Sequence, residues 1–306
     1  MTQAVPLKME SVAEALAIFG RVLIDEPMNR HTSFRIGGPA DYLVVPSSTR
    51  QVPGLLATAR NLGLPVTVLG NGTNTLVRDG GIRGVVIRLS ACATITRLGV
   101  ESLVAEGGTP FPRLAREASR LGLTGLEFAA GIPGTVGGAV TMNAGAHGAD
   151  LAGVLECIDL ATPAGDVLTL PVDRLGLAYR SSTLPDGIVL NAVFHLTLGD
   201  RERILRETQR NMDLRGRTQP ILTPNAGSFF KNPSGDFAAR LIDEAGCKGW
   251  DEGDAEVSTL HANFIVNHGR ASSVQVLALA ERVREQVAKV FGVVLEMEVK
   301  TIGSPA

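Results

Sequence analysis

The stretch Leu69-Gly70-Asn71-Gly72-Thr73-Asn74-Thr75-Leu76 is the first informative part of the sequence, and it follows an apolar segment typical of a strand. Its glycines let backbone N–H groups approach an anion without obstruction by a Cβ, and the Asn and Thr side chains add donors. The Lys-Ser/Thr ending of a P-loop is missing. The dinucleotide fingerprint G-x-G-x-x-G is missing too, because Thr75 stands where its third glycine belongs.

A second segment of the same kind is Ala130-Gly131-Ile132-Pro133-Gly134-Thr135-Val136-Gly137-Gly138-Ala139. One such segment alone is more often a tight turn in a glycine-rich β structure. Two in one chain favour a diphosphate cradle built from backbone amides. The candidate cofactor-binding residues are Gly70, Asn71, Gly72, Thr73, Asn74, Gly131, Ile132, Gly134, Gly137, Gly138 and Ala139.

The composition narrows the possible partners. The chain has 306 residues, enough for about two domains and a substantial core. Its 29 Lys and Arg nearly balance its 31 Asp and Glu, so nucleic acid is not expected as a partner. An anionic ligand must therefore be held by local groups.

Three cysteines without C-x-x-C spacing indicate neither a disulfide framework nor a zinc site, and no other metal is expected. The chain shows no signal peptide, and no apolar run reaches the roughly 18 residues of a membrane span. A cytoplasmic protein without a membrane partner is the expectation, and we expect a monomer.

The hydrophobic patterns predict an α+β protein with many short strands. A charged helix near 199–217 marks the boundary between a region 1–200, made of two α+β subdomains, and a domain 201–306. A helix is predicted over 12–24. Another is predicted from a cap at Ser272 or Ser273 to Lys289, with Gly292 past its end. A last strand over 293–299 is predicted to return toward the active site.

Further motifs follow in order along the chain: His31-Thr32-Ser33-Phe34-Arg35-Ile36-Gly37-Gly38-Pro39-Ala40, Tyr179-Arg180-Ser181-Ser182, Asn225-Ala226-Gly227-Ser228-Phe229-Phe230-Lys231-Asn232-Pro233 and Leu295-Glu296-Met297-Glu298-Val299. With the glycine segments they resemble the MurB family of UDP-N-acetylenolpyruvoylglucosamine reductases across nearly the whole chain. The resemblance implies FAD in a fold of the vanillyl-alcohol-oxidase type, followed by a C-terminal α+β substrate domain. It also implies the NADPH-dependent reduction of UDP-N-acetylglucosamine enolpyruvate to UDP-N-acetylmuramate for peptidoglycan.

By this resemblance, Ser228 is the proton donor, and Arg180 and Glu298 lie at the substrate carboxylate. Hydride addition to an enolpyruvyl group leaves an enolate, which needs a cation and a proton source. An ionised Glu298 would repel the enolate, so we expect Glu298 to be protonated or to share a proton. Without the resemblance, Ser228 reads as a turn residue and Arg180 as a surface residue. Glu296 and Glu298 then read as the solvated face of an edge strand.

Other candidate site residues have more than one possible role. The resemblance places Lys231 and Asn232 at substrate or NADPH. His261 falls in a substrate-facing region, but a structural role is equally open.

Three arginines also have two readings each. Arg215 and Arg217 could contact a nucleotide diphosphate or the C-terminus of their own helix. Arg35 fits FAD binding or a structural ion pair.

Two further expectations concern how ligands are held. Tyr42 and Tyr179 are the chain's tyrosines, and residues 181–187 lead directly into a predicted strand. This resembles the short-loop subtype that lacks a tyrosine lid over the substrate. In the first glycine segment and the glycine-rich stretch 131–148, His147 is the one residue that could bond covalently to flavin, so we expect non-covalent FAD.

Overall fold

The computed structural model describes residues 9–306. The helices are α1 (Met9–Ala17), α2 (Val52–Asn61), α3 (Phe111–Arg120), α4 (Val136–Thr141), α5 (Arg201–Thr218), α6 (Ala238–Glu244) and α7 (Ser273–Phe291). Strands through the first two-thirds of the chain are β1 (Gly20–Pro27), β2 (Pro39–Pro46), β3 (Val66–Val68), β4 (Thr75–Val77), β5 (Ile82–Ile87), β6 (Ile95–Leu98), β7 (Ser102–Glu106), β8 (Leu123–Thr124), β9 (Gly145–Ala146), β10 (Ala149–Asp150), β11 (Leu155–Ala161), β12 (Val167–Pro171), β13 (Ile188–His195) and β14 (Thr197–Leu198). The last strands are β15 (Asp251–Glu252), β16 (Ala255–Val257), β17 (Ile265–Asn267) and β18 (Lys300–Ile302). Among residues 9–306, no helix combines the length and the apolar character that a membrane crossing requires.

The first sheet has the strand order β1-β2-β5-β3. Strand β1 runs antiparallel to β2, whereas β2 and β3 both pair with β5 in parallel. The predicted helix over 12–24 is wrong in its second half, because α1 ends at Ala17 and β1 begins at Gly20. Val22, Leu23 and Ile24 are adjacent large aliphatic residues, and pairing along β2 overrides the helical spacing.

A second sheet, with the order β12-β11-β13-β7-β6, is antiparallel throughout. Its core is formed by buried residues between Leu103 and Leu196 and includes Phe111 and Phe194. Phe111 packs edge-on against Phe128, with ring centroids 6.1 Å apart. The first sheet packs on two further cores, and one of them also contains Ala161, Ile188 and Leu190 from β11 and β13, so the two sheets form layers that share part of their core.

The C-terminal part packs α6 and α7 against the small sheet β15-β16-β17. Its core also contains Phe34, Ile36 and Leu76 from the N-terminal part. The predicted strand over 293–299 is wrong in position: this segment makes a single bridge, Met297 to Phe230, and the strand is β18. Strand β18 pairs in parallel with β4, directly after the first glycine segment. The domain boundary at 200/201 stays a prediction.

The ends of α7 confirm the prediction made from its sequence. Ser272 is the N-cap: its side chain accepts a hydrogen bond from Gln275 N, and the Gln275 side chain bonds back to the Ser272 backbone. Gly292 ends the helix in a left-handed conformation. The Ser273 hydroxyl also donates to Asp79 over 2.7 Å, which ties α7 to the N-terminal part.

We expect Ser272→Ala to lower the free energy of unfolding by about 1 kcal/mol, because the Gln275 N–H loses its acceptor. Urea denaturation followed by circular dichroism measures the change. Val274→Ala in the same first turn is the control, because Val274 is 61% exposed and its loss should change little. Equal midpoints for the two variants would contradict a stabilising cap.

Candidate active site

A cavity of about 580 Å³ lies where the two layers of the N-terminal region meet the C-terminal part. Most of the residues singled out from the sequence line this cavity. They are Gly70, Asn71, Gly72, Thr73, Asn74, Ile132, Gly134, Gly137, Gly138, Ala139, Arg180, Arg215, Ser228 and Glu298. The fold therefore brings together residues that are more than 200 positions apart in the chain.

We call residues 70–74 the first glycine loop and residues 131–139 the second glycine loop. The polar side chains of the first loop hold the loops in place. Asn71 Nδ2 donates to Gly134 O over 3.5 Å, and Thr73 Oγ1 donates to Pro133 O over 3.3 Å. Asn74 Nδ2 donates to the backbone oxygen of Glu298 over 3.2 Å. These side-chain donors are thus directed at protein acceptors, and the backbone amides are left for a ligand.

The backbone N–H groups of the first glycine loop donate to no other residue that the structure describes, and those of Gly134 and Thr135 do not either. Buried backbone donors are nearly always paired, so donors left free on a cavity wall indicate a site for acceptor atoms. Gly70 permits this close packing, because a Cβ there would lie 2.6 Å from Thr135 Oγ1. The arrangement suits a phosphate group or another anion.

Ser228 is held in the cavity by hydrogen bonds on both sides of it. Before it, Gly227 N donates to Asn225 Oδ1 over 2.9 Å. After it, Phe229 N donates to Asn263 O and Phe230 N to Asn263 Oδ1, over 2.8 and 2.9 Å. The Ser228 hydroxyl makes no hydrogen bond to residues 9–306, so its proton is available to a ligand.

Arg180 and Glu298 form an ion pair on the cavity wall. Arg180 Nε lies 3.2 Å from Glu298 Oε1, and the two side chains are only 25% and 14% exposed. Arg180 has a positive φ of 53°, which is uncommon for a residue with a side chain and typical of functional sites. Its guanidinium lies 5.2 Å from the ring centroid of Tyr179, which is itself half exposed.

Burial raises the pKa of Glu298, although Arg180 and Lys231 act in the opposite direction. Its neighbour Glu296 is far more exposed and pairs with Lys231, whose Nζ lies 2.5 Å from Glu296 Oε1. The two glutamates therefore occupy different surroundings rather than one solvated face. Lys231 does not line the cavity, but its positive charge favours the carboxylate form of Glu298.

A second cavity of about 420 Å³ adjoins the first, and the two share the lining residues Thr73, Pro133, Arg215, Gly227 and Phe264. Gly131 and Arg35 line this second cavity rather than the first. A Cβ on Gly131 would lie 3.0 Å from Arg215 Cδ, so this glycine makes room for the arginine. Within the described chain, no carboxylate lies within ion-pair distance of Arg35 or Arg215, and burial lowers the pKa of Arg215.

Three other candidates line neither cavity. Asn232 is exposed, and its Oδ1 accepts from Ala238 N over 3.0 Å at the start of α6. His261 is half-buried against Phe264, with centroids 4.8 Å apart, and burial lowers its pKa. Arg217 is exposed in the last turn of α5. Their roles toward substrate stay predictions.

Both parts of the chain match known protein families. Residues 219–302 match the family described as UDP-N-acetylenolpyruvoylglucosamine reductase, C-terminal domain, and residues 40–171 match an FAD binding domain. The reductase of Rubrobacter xylanophilus is 47% identical over 94% of this chain and 97% of its own length. The chain belongs to the UDP-N-acetylenolpyruvoylglucosamine reductase (MurB) family. The Bacillus subtilis reductase is 43% identical over 93% of this chain and 95% of its own length.

Solved structures agree with this membership. The crystal structure of MurB from Thermus caldophilus matches with a TM-score of 0.78 and 36% identity, over 92% of this chain and 98% of that one. Phl p 4, a grass pollen allergen with glucose dehydrogenase activity, matches with a TM-score of 0.50 over 62% of this chain and 44% of its own. At 13% identity this second match shows the fold alone. The predicted class is confirmed: an FAD-binding fold of the vanillyl-alcohol-oxidase type with a C-terminal α+β domain.

The hydrogen-bond donors on the cavity wall suit FAD. The free N–H groups of the two glycine loops match the oxygens of a diphosphate, and unpaired arginines on the wall match its charge. Gln219 Oε1, also on the wall, is buried without a hydrogen-bond partner in the described chain. Such an orphaned acceptor is costly unless a ligand supplies a donor.

Several residues of this site were not predicted from the sequence. Arg88 and Gln219 line the cavity, and Asn263 holds the backbone after Ser228. Arg88 comes directly after a buried strand, which is where sheet proteins commonly place ligand-binding residues. Asn263 carries no such signal, because its partner Phe230 is 33 positions away.

We expect Gly70→Ala to weaken flavin binding roughly 10-fold, because the new Cβ would displace Thr135 and push the second glycine loop away from the first. Dilution of the purified protein, with released flavin read by fluorescence, gives the affinity. Gly153→Ala is the control, because a Cβ there meets no atom within 4 Å. Equal affinities of the two variants would argue against close contact between the loop and the cofactor.

Glu298 should leave a signature in the pH dependence of stability. A carboxyl whose pKa is raised on folding contributes stability below its unfolded pKa, and this contribution is lost as the pH rises through the folded pKa. In Glu298→Gln the side chain is uncharged at every pH. The ordinary pKa of a glutamate side chain is 4.5. We therefore expect the Tm of the wild type to fall relative to that of Glu298→Gln as the pH rises above this value. Thermal melts across pH test this, and parallel curves would show that Glu298 is not destabilised in its charged form.

Proposed function

We propose that this chain is an FAD enzyme that uses NADPH to reduce the enolpyruvyl group of UDP-N-acetylglucosamine enolpyruvate, forming UDP-N-acetylmuramate for peptidoglycan. One observation carries the proposal: Arg180, Ser228 and Glu298 converge on the same cavity as the two glycine loops. Membership in the MurB family supports the identity of the substrate. When bound, FAD supplies hydride transfer between the nicotinamide and the enolpyruvyl group.

The charge that develops in the substrate defines the task of Arg180. Addition of hydride to the terminal carbon leaves negative charge on the neighbouring carbon and its carboxylate. A guanidinium presents paired N–H donors in a plane, which matches a carboxylate or an enolate. The 3.2 Å contact between Arg180 Nε and Glu298 Oε1 holds this guanidinium in place whether Glu298 is charged or protonated, so little reorganisation is needed when the charge appears.

Glu298 serves better as a neutral or proton-sharing group than as a fixed anion. Its burial on the cavity wall disfavours the carboxylate, and a carboxylate beside an enolate would raise the barrier. In the protonated form Glu298 can donate a hydrogen bond to the substrate and still accept one from Arg180 Nε. The charge of Lys231 acts in the opposite direction and limits how far the pKa of Glu298 rises.

Ser228 delivers the proton that completes the reduction. Its hydroxyl lies on the cavity wall and is free of protein hydrogen bonds within the described chain, while the backbone on both sides of it is held. A serine hydroxyl is a weak acid, but an enolate is basic enough to accept its proton. Transfer to the carbon beside the carboxylate gives the lactyl ether.

The remaining parts of the proposal concern the protein as a whole. We include a cytoplasmic location, because three cysteines without a disulfide pattern suit a reducing compartment. We also include non-covalent FAD, a monomeric state, and a division into an FAD-binding region 1–200 and a substrate-binding domain 201–306.

An anaerobic titration in two steps tests both the reaction and the role of Ser228. The yellow protein should lose its colour with NADPH and regain it with the enolpyruvyl substrate. For Ser228→Ala we expect unchanged bleaching but recovery slowed at least roughly 100-fold, because the proton source is gone. Stopped-flow absorbance measures both rates.

Ser234→Ala is the matched control, since Ser234 is an exposed serine in the same segment. If the wild type bleached but recovered only with oxygen, the chain would be a flavin oxidase and the substrate assignment would be wrong. If Ser228→Ala recovered at the wild-type rate, another group would donate the proton.

A further inference from the structure

The geometry points to Arg88 as the cation that binds the diphosphate of FAD, with His31 and Glu26 as the pair that positions it. This inference rests on the proposed FAD site. It assigns a function to His31, the first residue of the motif 31–40, for which the reaction itself provides no role.

Arg88 lies directly after β5, on the cavity wall beside Leu89 and Ser90. Its Nε donates to Gly70 O over 3.3 Å, at the start of the first glycine loop. At the other end of this loop, Asn74 binds the backbone of Glu298. Arg88 therefore lies at the opposite end of the loop from the reacting groups, where the phosphate part of a dinucleotide belongs rather than its reactive ring.

The charge of Arg88 is not neutralised by the protein. No carboxylate among residues 9–306 lies within 4.0 Å of its guanidinium, and burial lowers its pKa. A partly buried cation without a counter-ion is unfavourable unless an anion binds to it. The next loop residues offer free backbone N–H groups, so the arginine and the amides face the same ligand.

His31 holds Arg88 without cancelling its charge. Arg88 Nη1 lies 2.9 Å from His31 Nδ1, and His31 Nε2 lies 2.9 Å from Glu26 Oε1. Arginine has only donors, so Nδ1 must be the acceptor, and Nε2 must carry the hydrogen and donate it to Glu26. The imidazole is therefore neutral in this arrangement. A carboxylate in its place would pair with Arg88 and repel a diphosphate.

Glu26 and the residues after His31 fix the imidazole in turn. The side chains of Glu26 and His31 are only 16% and 14% exposed, so this hydrogen-bonded chain is shielded from water. Two positions later, the N–H of Ser33 donates to Gly72 O over 3.2 Å, and its hydroxyl donates to Asn225 O over 2.6 Å. The segment thus supports the first glycine loop and its arginine from the same side.

We expect Arg88→Met to weaken FAD binding roughly 10- to 100-fold, and Arg88→Lys to weaken it less, because lysine keeps the charge. Holoprotein is diluted and released FAD is measured by fluorescence. Arg83→Met is the matched control, since Arg83 lies on β5, the strand that leads to Arg88, but pairs with Asp41 and does not line the cavity, and its side chain is 55% exposed. Competition of FAD binding by ADP and by riboflavin tests the nucleotide half and the flavin half of FAD separately, because only ADP carries the diphosphate. The inhibition constant of ADP should rise with the dissociation constant of FAD, and that of riboflavin should not.

A double-mutant cycle tests whether His31 acts through Arg88. His31→Phe alone should weaken FAD binding about 10-fold, because Arg88 loses an acceptor. In the Arg88→Met background the same change should cost nothing further. A histidine that merely stabilised the fold would cost the same in both backgrounds. Glu26→Gln should keep most of the affinity, because its amide oxygen can still accept from His31.

The outcomes separate the two proposals. If the wild-type protein contains no FAD and binds none, the proposed cofactor site is wrong. If the wild type binds FAD and Arg88→Met binds it equally well, the proposed function stands and the role of Arg88 is overturned. Additive losses in the cycle would overturn the positioning role of His31 alone. A riboflavin constant that rises with that of FAD would place Arg88 at the flavin instead of the diphosphate.

Discussion

The side chains of Asn71, Thr73 and Asn74 hold the first glycine loop against the second and against Glu298, and the rest of the active site depends on this bracing. A ligand site made of backbone amides needs loops that stay in place without using those amides. Here the side chains make the structural bonds, so the N–H groups remain free. The first glycine loop is also linked to β18, because the backbone oxygen of Asn74 accepts a hydrogen bond from Lys300 N. Lys300 is the first residue of β18, which pairs with β4.

A nearly neutral chain binds a highly charged ligand by placing a few cations locally. Arg180 is paired with Glu298, which orients its guanidinium and leaves its charge partly compensated. Arg88 bonds to a neutral imidazole and to a carbonyl oxygen, and therefore keeps its full charge. Arg215 is half-buried, lines both cavities and has no ion pair among the described residues. These different environments give one cavity separate regions for bound phosphate and for developing charge.

Local sequence signals were reliable where the deciding interactions are local. The capping box at Ser272 and the left-handed Gly292 set the ends of α7, and both were predicted correctly. The helix over 12–24 failed because pairing with β2 is a long-range interaction that the helical spacing of apolar residues cannot report. The last strand was misplaced for a similar reason: its partner β4 lies more than 200 residues earlier. Asn232 fits the family motif, yet its side chain stabilises the start of α6.

The sequence by itself determined the family, the fold class and the residue types of the site, because each depends on short motifs that survive in linear order. It also determined that any anion must be held by local groups, since the total charge is close to zero. Only the tertiary structure decided which of these residues share a cavity. It showed that Arg88 and Gln219 belong to the wall, that Gly131 makes room for Arg215, and that Glu296 and Glu298 have different surroundings. Those facts depend on contacts between distant segments, and the desolvation of Glu298 arises only once these segments are packed together.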